Sequence, residues 1–271
     1  MDLNVTVLSE DDERSQLLTR AARDDDVAGI KEALELTGVD VNALHDEGGY
    51  EAMTLLHIAA GRGHVASIRS LLECGAHVDC LDRNRFGDST PLHYAAMNAQ
   101  LDAIRALLEA GADLHSERHE VGSPIRSVLH LIRSPDPKRQ AAIDIFLDAG
   151  ADVNEPAYEW GEGTLLQQAV RTGDLSLARR LVDRGAALTD TLVQSVESGH
   201  DQITRWLVDQ GAQDQDATAL ARAAARDKVD VCKRACRNSS RHLSSWMLAS
   251  MSIRRTHLAA MLYRPHVALV H

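Results

Sequence analysis

Apolar residues recur along this chain at helical spacing, in short stretches that polar turns separate. In the stretch TPLHYAAMNAQLDAIRALLEAG, which begins at Thr90, Ile104, Leu107 and Leu108 fall on one face of a helix. Pro91 suits the first helical position, where its missing N–H is not needed, and Gly111 suits a left-handed helix end. The pattern therefore predicts two short helices joined by a turn.

The same pattern recurs, so the chain is built from repeats. Clear copies begin at Thr54, Thr90, Ser127 and Thr164. The third copy is longer than the second by two positions between its histidine and its glycine (His130 to Gly150, against His93 to Gly111), which predicts an insertion in the SPDPK turn. Weaker copies begin at Leu17, Thr191 and Thr218.

Two features of the copies resemble the ankyrin repeat family: the motif Thr-Pro-Leu-His-x-Ala at Thr90, and endings similar to Gly-Ala-Asp-Val-Asn. The resemblance implies an all-α solenoid of about six to seven stacked helix pairs with long finger loops along one edge. The predicted domains are an acidic N-terminal segment (1–14), the ankyrin repeat array (15–238) and a basic amphipathic tail (239–271). We expect the tail to form a C-terminal helical cap.

Histidines recur at two motif positions of the copies. The resemblance implies that His57, His93 and His130 bond backbone groups in the turns and so tie neighbouring repeats together. His64 and His200 follow a glycine, and the same structural role is expected for them. A row of histidines is therefore interpreted as structural and not as a proton or metal site.

The loops between copies, here called fingers, are longer than the family pattern requires. The usual ankyrin repeat leaves about eight positions between the end of one copy and the start of the next. Each of the first four fingers exceeds this spacing by two to four positions: finger one (Asn42 to Thr54), finger two (Asp79 to Thr90), finger three (His115 to Ser127) and finger four (Asn154 to Thr164). The finger that follows is short.

The long fingers carry four of the nine aromatic residues of the chain, together with charges of both signs. Exposed aromatic side chains are typical of binding hot spots, so these loops are interpreted as a recognition surface. The predicted partner-binding residues are Tyr50, Arg83, Arg85, Phe86, Tyr158, Glu159 and Trp160. The aromatic residues would anchor the partner and the charges would orient it. Alternatively, the aromatic residues pack between neighbouring fingers.

The charge of the chain is unevenly distributed. Residues 222–271 contain ten Lys/Arg and two Asp/Glu, a net +8, so residues 1–221 carry −19 while the whole chain carries −11. The acidic body disfavours contact with nucleic acid, and the basic end could face an acidic partner. Without a signal peptide or an apolar run long enough for a bilayer, we expect an intracellular protein, cytoplasmic or nuclear, with no membrane contact. A monomer is expected.

Signatures of enzymes are missing, so no catalytic, cofactor-binding or metal-binding residues are predicted. The sequence has no phosphate loop, no GxSxG elbow and no HExxH motif. Cys74, His77 and Cys80 lie close in sequence, but no second ligand pair follows them. An enzyme with its active site in the ankyrin groove stays open as an alternative, since finger residues could converge there.

The function that the resemblance implies is non-covalent: a protein–protein interaction module or scaffold that binds through the long fingers and the concave groove. An alternative is a pathway-specific regulator or adaptor, with the basic tail as a second contact. The tail stretch SIRRTHL is faintly similar to the SOCS box of ubiquitin-ligase adaptors. The Cys-Arg pair before that stretch and the Leu-Pro run after it are missing, which disfavours a ligase adaptor.

Overall fold

The structure is a computed structural model that describes residues 6–9, 12–46, 52–83, 89–116, 122–128, 136–155 and 163–212. It divides into two compact units, Met1–Glu162 and Gly163–His271. In the first unit the strands are β1 (Val7–Leu8), β2 (Leu44–Asp46) and β3 (Ala52–Met53), and the helices are α1 (Glu13–Arg23), α2 (Val27–Thr37), α3 (Leu55–Arg62), α4 (Val65–Glu73), α5 (Pro91–Met97), α6 (Leu101–Glu109), α7 (Pro124–Ser127) and α8 (Pro137–Asp148). In the second unit the helices are α9 (Leu165–Thr172), α10 (Leu175–Asp183), α11 (Thr191–Ser198) and α12 (Asp201–Asp209).

Each unit is a stack of antiparallel helix pairs. In the first unit α1, α3, α5 and α7 pack on one another in series, and α2, α4, α6 and α8 form a second row. In the second unit α9 packs against α10 and α11, and α11 packs against α12. The predicted helix-pair architecture is confirmed, with six pairs among the described residues. The copy from Thr218 and the tail 239–271 lie outside them.

The core consists of aliphatic side chains between the helices. Leu107 and Ile104 on α6 are fully buried, as the repeat pattern predicted. Gly111 follows this helix with a φ of 88°, so the predicted left-handed helix end is confirmed. Leu92 on α5 and Leu71 on α4 are also fully buried. The periodicity of apolar residues therefore identified Ile104 and Leu107 as buried correctly, whereas Leu108, which was predicted on the same face, is only half-buried.

The turn inside the first helix pair uses aspartate where the next repeat uses glycine. Asp25 has a φ of 57°, in the left-handed region that Gly63 occupies with a φ of 80° in the next repeat. The Asp25 side chain accepts hydrogen bonds from the N–H and the hydroxyl of Ser67, at 3.1 and 2.6 Å. These two bonds to the second repeat explain why an aspartate is held in this conformation.

The third repeat begins four positions earlier than the sequence predicted. Its first helix starts at Pro124 with Ser123 as the N-cap residue, and not at Ser127. Finger three, from His115 to Ser123, then has the ordinary spacing of about eight positions, so the predicted long finger is wrong. A serine followed by proline favours a helix start. The Leu-His pair that ends at His130 imitates the motif one turn later.

This correction also relocates the insertion in the third repeat. Arg126, and not His130, occupies the third helical position that His57 and His93 occupy in the preceding repeats. The interval from Arg126 to Gly150 exceeds the interval from His57 to Gly75 by six positions. Three of the additional residues lengthen α8, which has 12 residues against nine in α4, and the other three lie between Arg126 and the start of α8. His130 itself is outside the described residues.

A small sheet lies at the base of the first two fingers, which the helical pattern did not predict. β2 and β3 form the antiparallel hairpin of finger one, with His45 opposite Met53. β1, from the N-terminal segment, pairs with β2 in parallel. On the other side, Ala52 and Arg83 form an antiparallel bridge with N–H to O distances of 2.9 and 2.7 Å. Backbone pairing therefore joins finger one to the start of finger two.

Candidate protein-binding site

The motif histidines join each repeat to the finger that follows. The Nε2 atom of His57 lies 2.9 Å from the Ser89 carbonyl oxygen, which can only accept, so Nε2 donates. In the neutral ring Nδ1 is then an acceptor, and the Thr54 N–H donates to it at 3.2 Å. His57 is fully buried. It therefore caps its own helix and holds the last residue of finger two, as the resemblance implied.

The same junction recurs with a different side chain in the second unit. His93 accepts from the Thr90 N–H and donates to the Gly122 carbonyl at 3.0 Å. In α9 the equivalent residue is Gln167, whose Oε1 accepts from the Thr164 N–H at 3.0 Å. Its Nε2 donates to the Thr189 carbonyl at 3.1 Å. An amide thus reproduces both hydrogen bonds of an imidazole.

A second set of bonds runs in the opposite direction, from each repeat to the preceding one. The imidazoles of His64 and His200 donate to the carbonyls of Ala22 and Arg171, at 3.1 and 3.2 Å. The predicted structural role of these two histidines is confirmed. At the same position of the second clear repeat, the Gln100 amide donates to the carbonyl of Gly61 at 3.3 Å.

Finger two is held at both ends by a buried carboxyl group. Asp82 is almost completely inaccessible to solvent. One carboxyl oxygen of Asp82 accepts from the Ser89 N–H, and the other accepts from the Tyr94 hydroxyl at 2.6 Å. The Asp82 N–H also donates to the Ser89 carbonyl at 3.1 Å, and the Tyr94 ring meets His57 edge-on. We call Asp82, Ser89, Tyr94 and His57 the finger-two base.

The predicted partner-binding residues are unequally placed in the structure. Arg83 directly follows Asp82 and is exposed, with its backbone bonded to Ala52. The other six residues lie outside the described residues: Tyr50, Arg85, Phe86, Tyr158, Glu159 and Trp160. Their role in binding stays a prediction. The structure does show that Arg83 leads from the finger-two base into the loop that contains Arg85 and Phe86.

The cysteines and histidine near finger two do not form a metal-binding group. Cys74 is the exposed C-cap residue of α4. The Cys80 thiol lies 3.2 Å from the Thr54 hydroxyl, and burial raises its pKa to about 11, which disfavours the reactive thiolate. Within the described ranges, no group of three or more His, Cys, Asp or Glu side chains could hold a metal ion.

Finger one contains a buried histidine of a different kind. His45, on β2, is fully buried, and its Nδ1 atom lies 2.9 Å from the Ser15 hydroxyl. Its Nε2 atom has no hydrogen-bond partner among the described residues. Burial lowers the pKa of His45 to about 4, so the ring is neutral at pH 7. The neighbouring Asp12, whose pKa a hydrogen bond from Arg14 lowers to about 2, opposes this shift only in part.

These features define a helical-repeat protein in which hydrogen bonds run in both directions between repeats inside each unit. Residues 18–118 match the family model described as ankyrin repeats in three copies. The crystal structure of the human ASB11 ankyrin repeat domain is similar, with a TM-score of 0.61 and 25% sequence identity, and the match covers 82% of this chain and 97% of that one. No curated protein matches the sequence. Residues 18–118 are therefore ankyrin repeats, and the chain is similar in fold to an ankyrin repeat domain over most of its length.

Ankyrin repeats generally mediate protein–protein interaction. In the part of the chain that the structure describes, no helix has the length and the apolar character needed to cross a membrane. Sequence reasoning missed Asp82 and Tyr94 in the finger-two base, and Gln167 at the junction in the second unit. A polar residue at the third helical position was the available signal for Gln167. No local pattern indicated the contact between Asp82 and Tyr94, which finger two brings together.

Proposed function

We propose that this protein binds a protein partner through its long fingers, with the loop of finger two at the centre of the contact surface. The observation that carries this proposal is the finger-two base. Buried hydrogen bonds fix both ends of the loop, at Asp82 and Ser89. A loop with fixed ends loses less conformational freedom when a partner orders it, which favours affinity.

The charge at the start of this loop supports the same conclusion. Arg83 is exposed on a body of net charge −19, and Arg85 follows it closely in the sequence. A local positive charge on an acidic body orients a partner that carries acidic groups near its contact surface. Phe86 in the same loop, with Tyr158 and Trp160 in finger four and Tyr50 in finger one, would supply the apolar anchors. Glu159 would contribute an opposite charge.

The test begins with the intact chain as bait in native lysate, and the captured partner is then purified for calorimetry. The chain with both Phe86→Ala and Trp160→Ala should bind at least about 2 kcal/mol more weakly, roughly 30-fold, while its unfolding free energy changes by less than about 1 kcal/mol. Arg83→Glu should also weaken binding. Arg69→Glu provides a matched control, because Arg69 is an exposed arginine on α4, away from the fingers.

Two results would contradict the proposal. If the double variant unfolds, the aromatic residues pack between fingers and the long loops are structural. If it stays folded and binds the partner normally, the contact surface lies elsewhere, for example on the first helices of the repeats or in the basic tail. The regulator or adaptor function and the enzyme function stay predictions from the sequence.

A further inference from the structure

The N-terminal strand is an unusual part of the finger sheet. The other neighbours in this sheet, β2 with β3 and Ala52 with Arg83, pair in antiparallel fashion. β1 instead pairs in parallel, with Val7 opposite Leu44 and Leu8 opposite His45. The pairing joins residues that are far apart in the sequence, with α1 and α2 between them. β1 therefore occupies the outer edge of β2, which is the edge opposite β3. In the sequence, β1 lies before the first repeat.

The segment that contains β1, residues 6–9, is called the strap below, and one side chain anchors it. Leu8 is 7% exposed, whereas Val7 is 45% exposed. Leu8 and its register partner His45 lie on the same face of the sheet, because paired residues of neighbouring strands do so. His45 contacts Ser15 of α1, so this is the face that packs on the first repeat. The main-chain contribution includes the Leu44 N–H, which donates to the Thr6 carbonyl at 2.9 Å.

We propose that the outer edge of β2 is a second protein-binding site, which takes an extended aliphatic peptide segment as an additional parallel strand. The strap occupies this site in cis and closes it. A partner segment would place a Leu-like side chain at the position of Leu8. One of its backbone carbonyls would replace that of Thr6 and accept the hydrogen bond from the Leu44 N–H. Strand addition at a sheet edge is a general mode of peptide recognition, with affinity from main-chain bonds and specificity from alternate side chains.

Two contacts that hold finger one do not involve the strap: the pairing of β2 with β3, and the contact of His45 with Ser15. The ring of His45 already lacks a partner at Nε2, among the described residues, while the strap is in place. Because the strap is tethered to the chain, it competes with a free peptide at an effective concentration on the order of millimolar. Release of the strap should therefore strengthen binding of the free peptide at least about tenfold.

The probe for this site is a fluorescein-labelled peptide with the sequence of residues 2–10, DLNVTVLSE. In the full chain, Leu8→Asp removes the anchor and should strengthen peptide binding at least about tenfold, measured by fluorescence anisotropy. Val7→Asp is the matched control on the same strand, and it should bind the peptide no better than the unmodified chain. A peptide with aspartate in place of the leucine that corresponds to Leu8 should not bind.

Hydrogen exchange reports on the same edge directly. The Leu44 amide should exchange faster in the Leu8→Asp chain and slow again when the peptide is added. Unchanged exchange, or no peptide binding by a folded Leu8→Asp chain, would overturn the proposal. If Leu8→Asp unfolds the first repeat, deletion of residues 1–8 takes its place, and unfolding of that variant too would show that the strap is structural. If the intact chain sediments as a dimer in which each copy places its strap on the β2 strand of the other copy, the occupancy in cis is contradicted.

Discussion

Finger two and the finger between α10 and α11 perform the same structural task with very different lengths. The left-handed glycine and the next N-cap residue are Gly75 and Thr90 at finger two, but Gly185 and Asp190 at the later finger. Finger two is therefore longer by ten positions. In both cases the residue before the N-cap accepts a hydrogen bond from the preceding repeat. The junction therefore does not require the additional length of finger two.

Hydrogen bonds that the short finger does not use hold the ends of the additional segment in finger two. Asp82 and Tyr94 hold its base, whereas the short finger closes with the Thr191 hydroxyl donating to the Leu188 carbonyl at 2.7 Å. A buried carboxyl group that serves only to fix a loop has a cost in desolvation that its hydrogen bonds must offset. The bonds of Asp82 therefore support the loop of finger two and are not part of the junction that stacks the repeats.

We expect the packed helices, and not the fingers, to contribute most of the free energy of unfolding. Leu107 is fully buried between repeats, so Leu107→Ala should lower the free energy of unfolding by about 2–5 kcal/mol. Urea denaturation measures this directly. Leu36→Ala is the control, because Leu36 is 75% exposed on α2, and it should change stability by less than about 0.5 kcal/mol. Equal effects of the two substitutions would contradict the assigned core.

Removal of the Asp82 carboxyl group, which has no counterpart in the short finger, should lower the free energy of unfolding of the chain. Asp82→Ala leaves the Ser89 N–H and the Tyr94 hydroxyl without their acceptor, and should cost about 2–3 kcal/mol in urea denaturation. Asp102→Ala, on an exposed aspartate of α6, should cost less than about 0.5 kcal/mol. A folded Asp82→Ala chain of unchanged stability would show that the finger-two base does not hold the loop.

Finger one adds a dependence on pH that the short finger lacks among its described residues. His45 has a folded pKa of about 4 against an ordinary value of 6.5, so the neutral ring stabilises the fold fully above pH 6.5. This contribution is lost as the pH falls from 6.5 towards 4, by about 2 kcal/mol between pH 7.5 and 5.0. Urea denaturation at the two pH values should show a loss that is smaller by about 2 kcal/mol in His45→Leu than in the unmodified chain or in His64→Gln. Asp12 stays ionised over this range, since its pKa is about 2.

The smallest effect concerns the side chain at the junction before the short finger. Gln167→Ala removes a donor and an acceptor and should cost about 1 kcal/mol, whereas Gln167→His should restore stability to within about 0.5 kcal/mol. Thermal melting of the three chains makes the comparison. If histidine is no better than alanine at this position, the junctions of the two units are not equivalent.

The sequence predicted what depends on local periodicity, and it failed where distant residues meet. Leu107 and Gly111 were identified because helical spacing and a left-handed helix end are local properties. The start of the third repeat was misplaced because His130 imitates the motif one turn after the true N-cap, Ser123. The hydrogen bond between Asp82 and Tyr94 depends on the path of a loop, which composition does not specify.

The strap illustrates the same limit, since Leu8 and His45 belong to segments with no shared pattern and meet only in the folded sheet. The partner-binding residues were chosen by composition, as aromatic and charged residues in long loops. Of these, Arg83 lies among the described residues and is exposed, and its role in binding stays a prediction. The base that supports the loop could not be derived in the same way, because a buried aspartate has no signature in one sequence.

The bonds between repeats also explain how such an array can grow. At the junction of the first two clear repeats, His57 donates forward to Ser89 while Gln100 donates back to Gly61. The repeats from Thr54 and Thr90 each carry both halves of a head-to-tail interface, since His64 also donates back to Ala22 and His93 donates forward to Gly122. A tandem duplication of one repeat would bring its own complementary donors and acceptors to the new junction. Whole repeats can therefore be gained by gene duplication without new compensating substitutions, whereas the loop of each finger is free to diverge separately.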